Sequence, residues 1–275
     1  MSLSTPHEYD ITEFVTPGKS NEIEITVYNG IENVCVGQDS HSVTDQTQGN
    51  WNGITGEIFL QSAPADNYIR NVRIFPDVKG KKAEVLVTRG GSAKKTRSAS
   101  VRAVSSDGTD VYNVTRHTVS GDTLRFTIDM GDRMKTWDEF STPYYDVTVN
   151  LDDDTATTVF GMRDIEVRGR DILVNGRPAY MRGTVENCCF PLTGYAPTDE
   201  ESWARGFAKC KEYGINMMRS HSFCPPEAAF AAADKAGVYL QPEGPSWPNH
   251  GVKLNSGMAI DQYLLDESKA IIDRY

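Results

Sequence analysis

The stretch "GINMMRSHSFCPPEAAFAAADKAGVYLQPEG", Gly214 to Gly244, decides the fold. Two short apolar runs, Ile215–Met218 and Val238–Leu240, flank an alanine-rich segment. That spacing predicts strand, helix, strand. Pro225 and Pro226 mark the helix entry and Gly237 its exit, the asymmetry expected of helix ends. Each strand runs straight into reactive side chains: Arg219, Ser220 and His221 after the first, Glu243 after the second. In parallel α/β folds the loops beyond the carboxyl ends of the strands form the functional face.

The pattern extends both ways. Thr198, with Glu201 three residues on, reads as the N-cap of a helix that ends at Gly214. Trp203, Phe207 and Cys210 recur on one face of it. Before it, "RDIEVRGRDILVNGRPAYMRGT" (163–184) predicts a hairpin turning at Asn175-Gly176, then a strand through Tyr180 and Met181. After Gly244, Ile260, Leu264 and Ile271 align on a last helix. The order β-α-β-α-β-α with short returns predicts a parallel sheet.

Three strand-end loops then carry the candidate site. The first offers Glu186 and Asn187, the second Arg219 and His221, the third Glu243 and Trp247. Charged and amide groups hydrogen-bond hydroxyls, and an indole offers an apolar face to a sugar ring. The set suits a neutral polyhydroxylated ligand. Singly, each has a plainer role: Arg219 and Glu243 can pair across strands, His221 can sit satisfied on the rim, and Trp247 can pack between Pro245 and Pro248.

Upstream the chain is β. Between residues 65 and 160, "YIRNVRIFPD", "AEVLVTRG", "SASVRAVSSDG", "DTLRFTIDMG", "YYDVTVNLDDD" and "TATTVFGMR" predict six strands of an immunoglobulin-type sandwich. Before residue 63, alternation at Ile23, Ile25 and Val27, and again at Ile58 and Leu60, predicts two more. The loop between them carries Trp51. Two strands bury too little for an independent domain. This segment is expected to be part of a larger sheet domain. The expected organisation is therefore multidomain, β followed by α/β, with divisions at 1–63, 64–163 and 164–275.

Composition narrows the function. A net charge of −10 argues against nucleic acid and anionic membrane, which need clustered Lys and Arg. No apolar run approaches the length of a membrane span, and the N-terminus has no basic region followed by an apolar core. Cys35, Cys188, Cys189, Cys210 and Cys224 form neither a disulfide framework nor a zinc spacing, so no metal or other cofactor is expected. Gly18-Lys19-Ser20 lacks the glycine five positions earlier, where Glu13 stands, and no G-x-S-x-G occurs. Those departures argue against phosphate-loop and serine-hydrolase chemistry.

Taken together, these stretches resemble family 2 of the glycoside hydrolases, the group of β-galactosidases, β-glucuronidases and β-mannosidases. "YDITEFVTPGKSNEIEITVYN" and "GNWNGITGEIFL" resemble the end of its jelly-roll sugar-binding domain. "FGMRDIEVRGRDILVNGRPAYMRGT" resembles the junction into its catalytic barrel, and residues 214–243 resemble the second and third barrel strands. The resemblance implies a partial jelly roll, an immunoglobulin-like sandwich and about three βα units of a TIM barrel. It implies a retaining, exo-acting β-glycosidase, with Arg219 and His221 lining the terminal-sugar subsite and Glu243 at the third strand end. The sequence departs from the family where only Ser220 separates Arg219 from His221 and "SFCPP" follows. A full barrel takes about 250 residues, and the family's two catalytic glutamates belong to strands expected beyond Tyr275. The chain alone is thus expected to be inactive. The resemblance is compatible with a divalent metal in a larger parent and with a secreted or periplasmic setting, although cytoplasmic members exist; a three-strand piece of barrel would expose the edge of its third strand, which invites a homo-oligomer. The competing reading is a non-catalytic carbohydrate-binding or adhesion protein built on the β domains.

Overall fold

The computed structural model describes residues 2–28, 30, 51, 53–92, 95–246, 253 and 255–275. Contacts divide the chain into two compact units, Phe59–Met181, and Met1–Ile58 with Arg182–Tyr275.

The first unit is a sandwich of two antiparallel four-stranded sheets. Its strands are β1 (Tyr68–Asp77), β2 (Lys82–Gly90), β3 (Ala99–Ser105), β4 (Val111–Val114), β5 (His117–Ser120), β6 (Thr123–Asp129), β7 (Tyr145–Leu151) and β8 (Asp154–Phe160). One sheet runs β1-β2-β6-β5, the other β4-β3-β7-β8. Period-2 alternation sends Val85, Val87, Leu124, Phe126 and Ile128 inward from one sheet, and Val101, Ala103, Tyr145, Val147 and Val149 from the other. A side chain such as Phe126, wholly buried, contributes roughly 1.5–3 kcal/mol. Six of the eight strands match the sequence expectation. β4 and β5 do not appear in it, because each is four residues long, lies at a sheet edge and has little apolar alternation.

The unit ends in a small sheet of β9 (Ile165–Arg168), β10 (Asp171–Val174) and β11 (Arg177–Pro178). Asn175 and Gly176 form the expected two-residue turn, with φ of 51° and 78°. The turn is also anchored. Asn175 Nδ2 donates to the carbonyl of Trp137 at 3.0 Å, and its Oδ1 accepts the amide of Asp164 at 3.0 Å. Trp137 is only 3% exposed, and the Arg163 guanidinium lies 4.8 Å from its ring centroid. These contacts explain the run Phe160-Gly161-Met162-Arg163: Phe160 and Met162 enter the core, Gly161 leaves room for Trp137, and Arg163 covers the indole.

The second unit holds three parallel strands in the order β12-β13-β14: β12 (Gly183–Glu186), β13 (Met217–Ser220) and β14 (Tyr239–Gln241). The strand expected through Tyr180 and Met181 starts instead at Gly183, where the ladder with Met217 begins. Three helices accompany the sheet: α1 (Glu200–Glu212), α2 (Glu227–Ala236) and α3 (Ala259–Arg274). The cap of α1 is Asp199 rather than Thr198. Its carboxylate accepts the amide of Ser202 at 2.7 Å and the Ser202 hydroxyl at 2.9 Å, so the cap sits one residue later than expected. Pro226 and left-handed Gly237 (φ 68°) bound α2 as the sequence indicates. Ala229, Ala232 and Ala233 pack with Trp203, Phe207, Met218, Phe223 and Val238. On α3 the buried face is Ile260, Tyr263, Glu267 and Ile271, with Leu264 half-buried beside it.

Ile23, Ile25, Val27, Ile58 and Leu60 lie in no strand and are exposed. Alternation makes a strand only where a neighbour supplies the ladder, and among the described residues none pairs with these segments.

Candidate functional site

The site grows from the ends of the parallel strands. β13 delivers Arg219 within the strand and His221 just past it, and β14 is followed two residues on by Glu243. The register fixes the neighbours: Arg219 lies between Val185 and Gln241, and Ser220 pairs with Glu186. The two loops are joined by the amide of Glu243 donating to the carbonyl of Phe223 at 3.1 Å. The amide of His221 donates to the carbonyl of Glu186 at 2.8 Å, extending the connection to β12.

Three of the expected residues meet. Arg219 Nε donates to Glu243 Oε1. His221 Nδ1 lies 3.1 Å from both Arg219 Nη2 and Glu243 Oε2. Ser222, which the sequence reading did not single out, completes the set. Its hydroxyl lies 2.8 Å from His221 Nδ1 and donates to Glu243 Oε2 at 3.0 Å. A short hydroxyl residue has no periodicity signal, so only the folded loop reveals it. A neutral Nδ1 accepts from Arg219, whereas a protonated one donates to Glu243. Ser222, with one hydrogen and two lone pairs, serves either state.

Burial pushes the Glu243 carboxyl upward, but hydrogen bonds from Arg219, His221 and Ser222 outweigh it and hold the group below the ordinary glutamate range. Glu243 is therefore a carboxylate at neutral pH, and its charge is balanced by Arg219. Their side chains are 19% and 41% exposed, so both groups remain in reach of solvent. Such a set offers donors and acceptors at fixed positions, with the Glu243 charge paired to Arg219.

The other expected residues sit differently. Glu186 turns its carboxylate onto its own loop, accepting the amides of Cys188 and Cys189 at 3.0 Å each. Burial raises its pKa despite those bonds. Asn187 Oδ1 is buried and has no hydrogen-bond partner among the described residues. Trp247 lies outside the described residues. No group of three or more His, Cys, Asp or Glu among the described residues could hold a metal. No helix among them is long and apolar enough to cross a membrane.

The chain matches no family model. It does match whole sequences. It is 21% identical to the β-galactosidase of Staphylococcus xylosus over 97% of its own length and 26% of that protein. It is 24% identical to the β-galactosidase of Thermoanaerobacter pseudethanolicus over 90% of the chain and 34% of that relative. A family 2 β-galacturonidase from Eisenbergiella tayi, solved with galacturonate, shares the fold at a TM-score of 0.59, 17% identity, covering 76% of this chain and 38% of that one. The likeness is to glycoside hydrolase family 2. The β-glucuronidase of Ruminococcus gnavus superposes similarly, with a TM-score of 0.60 and 18% identity over 76% of this chain and 35% of that one. The chain thus spans about a quarter to a third of the length of these two β-galactosidases.

Proposed function

We propose that this chain is the sugar-recognition part of a retaining, exo-acting β-glycosidase of the β-galactosidase type. The observation that carries the reading is the convergence of Arg219, His221, Ser222 and Glu243 beyond the ends of two neighbouring parallel strands. Its names among relatives, β-galactosidase by sequence and β-glucuronidase or β-galacturonidase by fold, support a pyranoside ligand. In this reading residues 1–63 are part of a jelly-roll sugar-binding domain, 64–163 an immunoglobulin-like sandwich, and 164–275 the first three βα units of a (β/α)8 barrel. The arginine and histidine hold hydroxyls of the terminal sugar, and Glu243 keeps both oriented. Asn187, whose Oδ1 is buried without a hydrogen-bond partner among the described residues, stands on the loop beside them, and the part of Trp247 and Glu186 in sugar binding rests on their place in the sequence alone.

Retaining hydrolysis needs two carboxyl groups about 5–5.5 Å apart, one as acid/base and one as nucleophile. Glu243 is committed to Arg219, and Glu186 to its own loop amides. The chain by itself therefore binds sugar without cleaving it. The test is titration with methyl β-galactoside followed by ligand-detected NMR, beside an assay with aryl β-glycosides. Saturable binding lost in Arg219→Ala supports the reading; flat titrations with every pyranoside overturn it. Aryl-glycoside hydrolysis above a mock preparation overturns the inactivity.

A further inference from the structure

We propose that Trp51 is a positioning residue of the strand-end site, although it lies far upstream in the sequence and reaches the site through the rings of Phe190 and Phe223. Its indole meets Phe190 edge-on at 5.9 Å and 67°, and Phe223 at 6.0 Å and 89°. Phe190 and Phe223 meet each other at 5.9 Å and 84°, which closes a triangle of edge-to-face rings. Trp203 of α1 backs Phe190 at 6.0 Å. Edge-to-face pairs have a preferred geometry, so three of them fix one another's orientation where an aliphatic filler would not.

The triangle bears on the site because of where its corners are attached. Phe190 belongs to the loop after β12 and Phe223 to the loop after β13. Phe223 directly follows Ser222 and His221, and its carbonyl accepts the amide of Glu243 at 3.1 Å. A shift of Phe223 therefore moves Ser222 Oγ and the Glu243 backbone together. Hydrogen bonds at 2.8–3.1 Å among Ser222, His221 and Glu243 tolerate little such movement. Among the described residues the ring contacts of Trp51 are to Phe190 and Phe223, so its influence on Arg219, His221 and Glu243 runs through that corner.

A residue that merely fills the core lowers stability when truncated and leaves the site geometry alone. Trp51 instead controls the surroundings of His221 Nδ1. The experiment compares the wild type with Trp51→Ala, Trp51→Leu and Trp51→Phe, with the imidazole nitrogens labelled and assigned. Trp51→Leu retains apolar bulk should Trp51→Ala fail to fold. Gly161→Ala, in the sandwich, serves as a control for general destabilisation. The expected result is a displaced His221 Nδ1 shift in the alanine and leucine variants, restored by phenylalanine and absent in the control. The affinity for methyl β-galactoside, which rests on the sugar reading above, falls about tenfold in the same two variants, equivalent to ~1.4 kcal/mol. If the wild type binds no glycoside, the sugar reading falls while the nitrogen shifts still decide the role of Trp51. A His221 Nδ1 shift unchanged in both Trp51→Ala and Trp51→Leu overturns the inference.

Discussion

Arg219 and Glu243 close an ion pair from the end of β13 to the loop after β14, and Ser222 Oγ rests on the same carboxylate at 3.0 Å. The pair ties two strand ends together and leaves Arg219 partly open. Glu243→Gln removes the charge but keeps the shape, and because Arg219 is partly exposed the loss of the pair is expected to cost up to about 1 kcal/mol near neutral pH. The folded-state pKa of Glu243 is depressed. Its contribution is therefore present above the ordinary glutamate range and lost as pH falls through the lower folded value. Urea unfolding of both proteins near neutral pH and in acid checks this. A stability gap that fails to narrow on acidification contradicts the assignment.

Glu186 behaves in the opposite sense. Burial raises its pKa, so the charged form is the less favoured one in the fold. Its contribution is full below the ordinary glutamate range and is lost as pH rises through the raised folded value. Relative to Glu186→Gln, which does not titrate, the wild type is expected to lose stability as pH climbs through that window. Parallel denaturation series over mildly acidic pH measure it, and a difference that is flat or grows with pH refutes it.

The shift of the α1 cap gives a sharp pair. Asp199→Ala removes the acceptor for the Ser202 amide and should cost about 1 kcal/mol. Thr198→Ala, one residue earlier, should stay within roughly 0.5 kcal/mol. Equal losses in thermal unfolding would return the cap to Thr198.

Gly161 faces a wall. A Cβ there would lie 3.2 Å from Trp137 Cβ and 3.4 Å from its Cγ, and Trp137 is buried against Arg163 and the Asn175 turn. Gly161→Ala is expected to destabilise the sandwich unit by about 1–3 kcal/mol through overpacking. Differential scanning calorimetry reads this directly. An unchanged transition would mean that Trp137 can yield.

Elements with a strong local signature were legible before the fold. The run from Gly214 to Gly244 carried its own punctuation, and Pro226 and Gly237 do bound α2. The strands β2, β6 and β7 show an alternation that survives as buried and exposed faces. What failed was local evidence without a partner. Ile23, Ile25 and Val27 alternate as well as β7 does, yet they form no strand, because a ladder depends on a neighbour. β4 and β5 show the converse, being weak in sequence and paired in space.

At the site, the sequence by itself determined which residues stand at the strand ends, since the strand–helix–strand period places Arg219, His221 and Glu243 there. It also determined that a short polar turn would follow β10, because Asn175 and Gly176 accept positive φ. Only the tertiary structure decided which of these groups meet. Glu186 bends back to the amides of Cys188 and Cys189 while Glu243 reaches Arg219, a choice made by loop path and hydrogen-bond geometry rather than residue type. It alone brought in Ser222 and set Trp51 against Phe223, since contacts between distant segments come from packing, and packing has no period in sequence.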